Sequence, residues 1–400
     1  MMQKEYPFLA DKEKCTGCGT CSEVCSKKCI SLVKDDLGFS YPVIDRTKCI
    51  NCGNCSKHCP ELKTTIRKKS YKAFSGKAKN KSVLLNAASG GAFSCIAFNI
   101  LSENGIVYGC FSDQKNQWKT SIIRVSAYDD LEKLQGSKYY ESDSRESYAQ
   151  VKKDLEKGNT VLYGARPCQI AALYSYLGSC DATNLITVDV VCHGITSLDL
   201  FREYLNVYEK RYNCLVKDYR FRSHKSNKGG GYFGCVSIVK NGRTLSKPLL
   251  WQCDSLYYHY MIGNIYRESC FNCQYSNRDR VGDITLGDFW GVERIVPGEH
   301  VGNVSLVLIN SNKGEKLLSS VKGLDMKEVD FSEAMNSNGS LNHPTVKPIE
   351  SRTELIEIYK QLGWNGVESA FKKINLKEKA LALITYYMPD SIKNLKKIIR

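Results

Sequence analysis

Cys15-Thr16-Gly17-Cys18-Gly19-Thr20-Cys21-Ser22-Glu23-Val24-Cys25 and Cys49-Ile50-Asn51-Cys52-Gly53-Asn54-Cys55-Ser56-Lys57-His58-Cys59 are two copies of one pattern. Both space their cysteines C-x2-C-x2-C-x3-C, and both follow an Asp-x-x-Lys step, Asp11 to Lys14 and Asp45 to Lys48. Pro60 follows the second copy, whereas Ser26 follows the first. Of 19 cysteines in the 400 residues, the stretch from Cys15 to Cys59 holds nine. Thiols clustered this densely in a reducing compartment serve metals or redox chemistry rather than disulfides. That compartment is the expected one. The start, Met1-Met2-Gln3-Lys4-Glu5-Tyr6-Pro7, has no apolar signal core. No apolar run approaches the ~20 residues of a membrane span, so a cytoplasmic protein without a transmembrane segment is expected.

The spacing has a physical reading. Three cysteines in a tight loop face three corners of a four-iron cube. The fourth, expected at the start of a following helix, reaches the other cluster, as in the cysteine run of bacterial two-cluster ferredoxins. Gly19 and Gly53 would let the backbone pass close to the clusters. Cys15, Cys18, Cys21 and Cys59 are therefore expected to hold one 4Fe–4S cluster, and Cys49, Cys52, Cys55 and Cys25 a second. Zinc would favour two pairs of ligands over this three-plus-one arrangement. The extra Cys29 reads as a small buried residue rather than a ligand. Between the copies, Ile30 to Val33 and Phe39 to Val43 flank Asp35-Asp36-Leu37-Gly38 as a hairpin. Residues 1–62 thus read as an α+β ferredoxin-like two-cluster domain.

Lysine and arginine total 57 against 42 acidic residues, a formal net charge of +15. The excess is uneven. From Leu62 to Ser102 there is no Asp or Glu, while Lys63, Arg67, Lys68, Lys69, Lys72, Lys77, Lys79 and Lys81 are present. No nucleic-acid-binding signature accompanies the run, so no nucleic-acid partner is expected. Residues 63–81 read as a solvated basic linker, with docking of an acidic partner or an anionic cofactor as the functional alternative.

From Ser82 onward, helical and strand patterns alternate, the signature of an α/β domain, here residues 82–350. Helices are expected at Ala92 to Leu101, Ser144 to Glu156, Pro167 to Leu177 and Leu198 to Tyr212. Strands are expected at Ile106 to Phe111, Thr160 to Tyr163, Leu185 to Val191, Asp283 to Leu286 and Ser305 to Ile309. Cys168 and Cys192 fall just beyond two of these strands, where open α/β sheets bind cofactors. Cys270-Phe271-Asn272-Cys273 is a loop pair with metal-ligand spacing. These four could bind a third cluster, or could be ordinary buried cysteines. Ser89-Gly90-Gly91 before a helix offers backbone N–H groups to a phosphate, and Gly136-Ser137-Lys138-Tyr139 adds a hydroxyl and a cation; either could equally be a plain turn.

In order and spacing, six segments resemble the beta subunits of coenzyme F420 hydrogenases and dehydrogenases, in the form with an N-terminal two-cluster domain. They are Ser89 to Phe93, Gly136 to Tyr139, Pro167 to Ala171, Asp189 to Gly194, Cys270 to Cys273 and Asp283 to Gly291. The resemblance runs from about Cys15 to about Asn310. It implies a large α/β domain of that type, a third 4Fe–4S cluster on Cys168, Cys192, Cys270 and Cys273, and FAD near Ser89, Gly90, Gly91, Gly136, Ser137 and Lys138. One segment departs: Ala165-Arg166-Pro167-Cys168 stands where the family usually has Gly-Thr-Pro-Cys. A cation there would favour a reduced cluster or contact the substrate.

Clusters pass single electrons, and FAD converts between these and two-electron chemistry. The expected function is therefore a flavin-dependent iron–sulfur oxidoreductase, working between ferredoxin or a redox partner subunit and a small two-electron substrate, with coenzyme F420 as a candidate. His193 and Lys138 are the candidates for proton delivery or cofactor binding. The alternatives are a non-catalytic electron-relay subunit and a cluster-bearing scaffold. Residues 351–400, rich in Lys, Leu and Ile, read as a basic helical tail with Pro389 dividing its last part.

Overall fold

The computed structural model describes residues 7–63, 65–224, 233–300 and 302–387. Near the N-terminus, strands Ile30–Lys34 and Ser40–Ile44 pair antiparallel, Ile30 opposite Ile44. One-turn helices Thr20–Glu23 and Asn54–Lys57 flank this hairpin. Both begin at a glycine in the left-handed region, Gly19 at φ 75° and Gly53 at φ 72°. Each helix therefore starts before the third cysteine of its copy and ends before the fourth. Cys25 and Cys59 follow their helices instead of opening new ones.

The large domain is built on an eight-stranded mixed sheet. Its order is Leu324–Glu328, Lys72–Ala78, Ser305–Ile309, Ile284–Asp288, Leu185–Val190, Val161–Ala165, Ile106–Asp113 and Lys119–Val125. The four strands from Ile284–Asp288 to Ile106–Asp113 run parallel, and the outer pairings are antiparallel. Helix Ala92–Ser102 covers one face through Ile96, Ala97 and Ile100; helices Arg145–Glu156 and Pro167–Leu177 cover the other through Tyr148, Val151, Ile170 and Leu173. Each fully buried large aliphatic side chain contributes about 1.5–3 kcal/mol. A separate three-stranded antiparallel sheet, Leu215–Arg220, Gly234–Lys240 and Arg243–Leu249, packs with helix Leu198–Tyr212 around Phe201, Phe221 and Trp364.

Two expected boundaries are corrected. The acid-free stretch at 63–81 is no linker, because Lys72–Ala78 is a strand inside the large sheet and buries Ala73, Ser75, Gly76 and Ala78. Its cations meet acids brought from far along the chain: Lys68 with Asp283 at 3.0 Å, Lys72 with Glu315 at 2.5 Å and Lys77 with Glu299 at 2.7 Å. The division at 350/351 falls inside helix Ile349–Phe371, whose Leu355, Trp364 and Val367 belong to the large-domain core. Trp364 is wholly buried and donates from Nε1 to Ser255 Oγ at 3.2 Å. Helix Leu376–Tyr387 follows, and the tail beyond it, Pro389 included, lies outside the described residues. Among the described residues, no helix is long and apolar enough to cross a membrane.

Candidate cluster sites

Within the first domain, the two cysteine sets expected from the sequence line two separate cavities. Cys15, Cys18, Cys21 and Cys59 border one; Cys25, Cys49, Cys52 and Cys55 border the other, joined there by Cys29. Each copy thus sends its fourth cysteine to the other copy's cavity, so neither set is complete without both halves of the repeat. Gly17, at φ 70°, passes so close beneath Arg267 that a Cβ would stand 2.8 Å from its Nη1.

Around the first cavity, burial favours the protonated thiols of Cys18, Cys21 and Cys59 while no iron charge is present. It pushes Cys59 up to about 11 and raises Cys18 and Cys21. Iron supplies the positive charge that stabilises buried thiolates, so the donor set suits a cluster. Among the described residues, no three Cys, His, Asp or Glu side chains converge as one ion would need. Thiols spread around a cavity suit the four corners of an iron–sulfur cube better than a single tetrahedral ion.

A third cavity in the large domain is lined by Cys168, Cys192, Cys270 and Cys273, together with Thr16, Arg166, His193 and Arg267. Topology explains the convergence. Val161–Ala165 and Leu185–Val190 are parallel neighbours, so their carboxyl ends open side by side. Cys168 follows the first, at the second position of helix Pro167–Leu177, where the helix dipole favours a thiolate. Cys192 follows the second strand. The loop carrying Cys270 and Cys273 is held against them by Arg280, 1% exposed. Arg280 donates to Asp189 Oδ1 at 2.9 Å and to the carbonyls of Tyr275 and Asn277 at 3.0 and 3.1 Å. Asp189 also accepts from Thr285 Oγ1 at 2.7 Å and Gly282 N at 2.9 Å. Burial pushes Cys270 up to about 12 and raises Cys168, Cys192 and Cys273, while Arg166 pulls Cys168 and Cys192 back down.

Thr16 borders both the first and the third cavity. Its Oγ1 is buried without a hydrogen-bond partner among the described residues, an orphan that a cluster sulfur would satisfy. Arg267 spans the same wall. Its Nε donates to Cys15 O at 2.8 Å, its Nη2 to Ser40 O at 2.8 Å and its Nη1 to Glu141 Oε1 at 2.6 Å. Neither Arg267 nor Arg280 stands out in the sequence, because their acidic partners, Glu141 and Asp189, lie 126 and 91 residues away.

The two glycine-containing turns are neighbours: Gln135 Nε2 donates to Ser94 Oγ at 3.3 Å, one turn into the helix after Gly91. Packing already requires the glycines. A Cβ on Gly90 would stand 2.2 Å from Gly76 O, and Gly91 holds φ 81°. Ser89 Oγ donates to Val304 O at 2.9 Å, and Gly136 adopts φ 79° with open space around it. Beside Ser137, Lys138 donates to Gln135 O at 2.7 Å, and burial lowers its ammonium pKa. His193 borders the third cavity and pairs with Ser340 Oγ at 3.1 Å; burial lowers its pKa too. The two candidate proton carriers therefore have different surroundings. Between the turns and His193 lies a polar group unmarked by the sequence reading: Arg222 donates to Tyr139 OH at 3.0 Å, pairs with Asp288 at 3.4 Å and lies over the Trp290 ring at 5.7 Å.

Residues 158–334 match the family model for the C terminus of the coenzyme F420 hydrogenase/dehydrogenase beta subunit. Residues 14–62 match a 4Fe–4S dicluster domain, and residues 41–110 match a second dicluster model. No curated protein matches the chain. Among solved structures, a chain from the F420-reducing [NiFe] hydrogenase complex of Methanosarcina barkeri is 17% identical, with a TM-score of 0.44 over 76% of this chain and 90% of that one. The chain therefore combines a region that matches a 4Fe–4S dicluster domain with one that matches the C terminus of the coenzyme F420 hydrogenase/dehydrogenase beta subunit.

Proposed function

We propose that the chain is a three-cluster iron–sulfur flavoprotein that exchanges electrons between ferredoxin, or a redox partner subunit, and a small two-electron substrate such as coenzyme F420. The observation that carries this reading is the presence of three cysteine-lined cavities, the first and third sharing the wall at Thr16. The clusters would supply one-electron transfer, and FAD the conversion to two-electron chemistry. The chain's own contribution is to hold the ligands, exclude water and set charge. Cys168, Cys192, Cys270 and Cys273 are the third ligand set. Arg166, placed at the same cavity, favours added negative charge there.

The flavin reading draws support from the adjacency of the turns at Ser89 to Gly91 and Gly136 to Lys138, with the helix N-terminus at Ala92 as the anion-favouring element. His193 and Lys138 are the proposed proton-handling or cofactor-binding groups. The packing demand on Gly90 favours the second reading, a flavin-free relay subunit, because it accounts for the glycine pair without a cofactor. Anaerobic purification with flavin analysis, followed by reduction assays against a deazaflavin, a nicotinamide and ferredoxin, separates the two. Bound FAD with turnover of a two-electron substrate is the expected result. Cluster-loaded protein that contains no flavin and takes up none would leave only the relay.

A further inference from the structure

The first domain brings five cysteines, not four, to its second cavity. Cys25, Cys29, Cys49, Cys52 and Cys55 all border it, whereas four border the first. The internal repeat has no counterpart for the fifth: Cys29 stands four residues after Cys25, and the same step from Cys59 reaches Lys63. Cys29 is 6% exposed, and its Sγ lies 3.4 Å from Cys25 Sγ. A small residue chosen only to fill the core would have no reason to present its sulfur to this cavity.

The local backbone aims it there. Lys28 N–H donates to Cys25 O at 3.0 Å, closing a turn over the fourth cysteine. Lys28 takes φ 47°, a left-handed conformation that few residues other than glycine adopt. Cys29 O accepts from Asp45 N at 2.7 Å, which ties the residue to the segment leading into Cys49. The first copy is also the one without a proline after its fourth cysteine. Sulfurs 3.4 Å apart on one cavity wall are near enough for either to reach the same iron atom.

We propose that Cys29 is an alternative ligand to the iron that Cys25 holds, so that the second cluster can exchange its fourth corner between two sulfurs. The proposal rests on the reading of Cys25, Cys49, Cys52 and Cys55 as cluster ligands. In the exchange, one Fe–S bond to Cys25 breaks and one Fe–S bond to Cys29 forms. The proton leaving the Cys29 thiol passes to the Cys25 sulfur, and no iron or sulfide changes oxidation state.

The test compares anaerobically reconstituted full-length Cys25→Ala, Cys29→Ala and the double variant with the wild type, by iron and sulfide content and by EPR of the reduced protein. Each single variant is expected to keep wild-type iron, with a second-cluster signal whose shape differs between the two. The double variant is expected to lose about four iron atoms per chain. Loss of the same iron in Cys25→Ala alone would overturn the proposal, and so would full iron in the double variant. Cys52→Ala serves as the control for the underlying reading. If it too keeps full iron, the second cluster is not held by these cysteines, and the proposal falls with that reading.

Discussion

Replacing Arg267 by Met would remove one of the charges that tie the first domain to the large one. The Arg267 side chain is 1% exposed and its partner Glu141 16%. The guanidinium donates to the carbonyls of Cys15 and Ser40 as well as to Glu141, and it lies 4.2 Å from the centre of the Tyr41 ring. Methionine can fill the volume of the stem but replaces none of these donors. Removing one member of a buried ion pair costs about 3–5 kcal/mol. Each carbonyl left without a donor adds ~1 kcal/mol where water cannot reach it. The contributions overlap, because all of them concern one side chain, and Glu141 can limit the loss by taking a proton: burial already raises its pKa. A net cost of about 4 kcal/mol is therefore expected. The double variant Arg267→Met with Glu141→Gln should be more stable than Arg267→Met alone, since it leaves no buried charge unpaired. Anaerobic urea unfolding, followed by far-UV circular dichroism and cluster absorbance, measures both. A single-variant cost under ~1 kcal/mol would refute the argument, as would a double variant no better than the single one.

Two pH dependences follow from burial. His259 is 7% exposed, and desolvation lowers its imidazole pKa from 6.5 to about 3. The folded state then resists a proton that the unfolded state accepts, so stability is lost as pH falls below 6.5, by up to ~1.4 kcal/mol per unit for this one group. Urea midpoints measured from pH 7.5 to 5.5 should fall less steeply in His259→Gln, and equal slopes would contradict the assignment. Cys59 and Cys270 are raised to about 11 and about 12. Cluster assembly must displace their protons, so the extent of reconstitution should rise between pH 7 and pH 9, and a flat profile would count against buried thiols as the ligands.

What could be read from the chain depended on how local each feature is. The ferredoxin-type sites were legible because their ligands obey a short-range spacing, and the hairpin between Ile30 and Ile44 because its turn residues sit between two β-rich runs. Helices Pro167–Leu177 and Leu198–Tyr212 and strand Ser305–Ile309 lie where periodicity places them. The strand Lys72–Ala78 was hidden because its lysines look solvated until Glu315 and Glu299 arrive from the far end of the chain. Helix Ile349–Phe371 looks like a tail in the sequence because its buried apolar positions, Leu355, Trp364, Val367 and Phe371, are interspersed with charges. The glycines at 90 and 91 resembled a phosphate cradle, whereas Gly90 also lets the helix start press against Gly76 O and Ser305 N of the sheet. Substituting either glycine would therefore report on folding before it reported on a cofactor. Arg267, Arg280 and Glu141 carried no sequence signal at all, since a buried charge acquires its role from partners that only the fold assembles.

The proposed third cluster site at Cys168, Cys192, Cys270 and Cys273 sets the iron content of the chain. Iron and acid-labile sulfide, measured on anaerobically reconstituted wild type and on the Cys168→Ala/Cys192→Ala variant, test it directly. About 12 iron atoms per wild-type chain and about 8 in the variant are expected, with the signals of the first-domain clusters retained. A wild-type value near 8 that the double substitution leaves unchanged would contradict it.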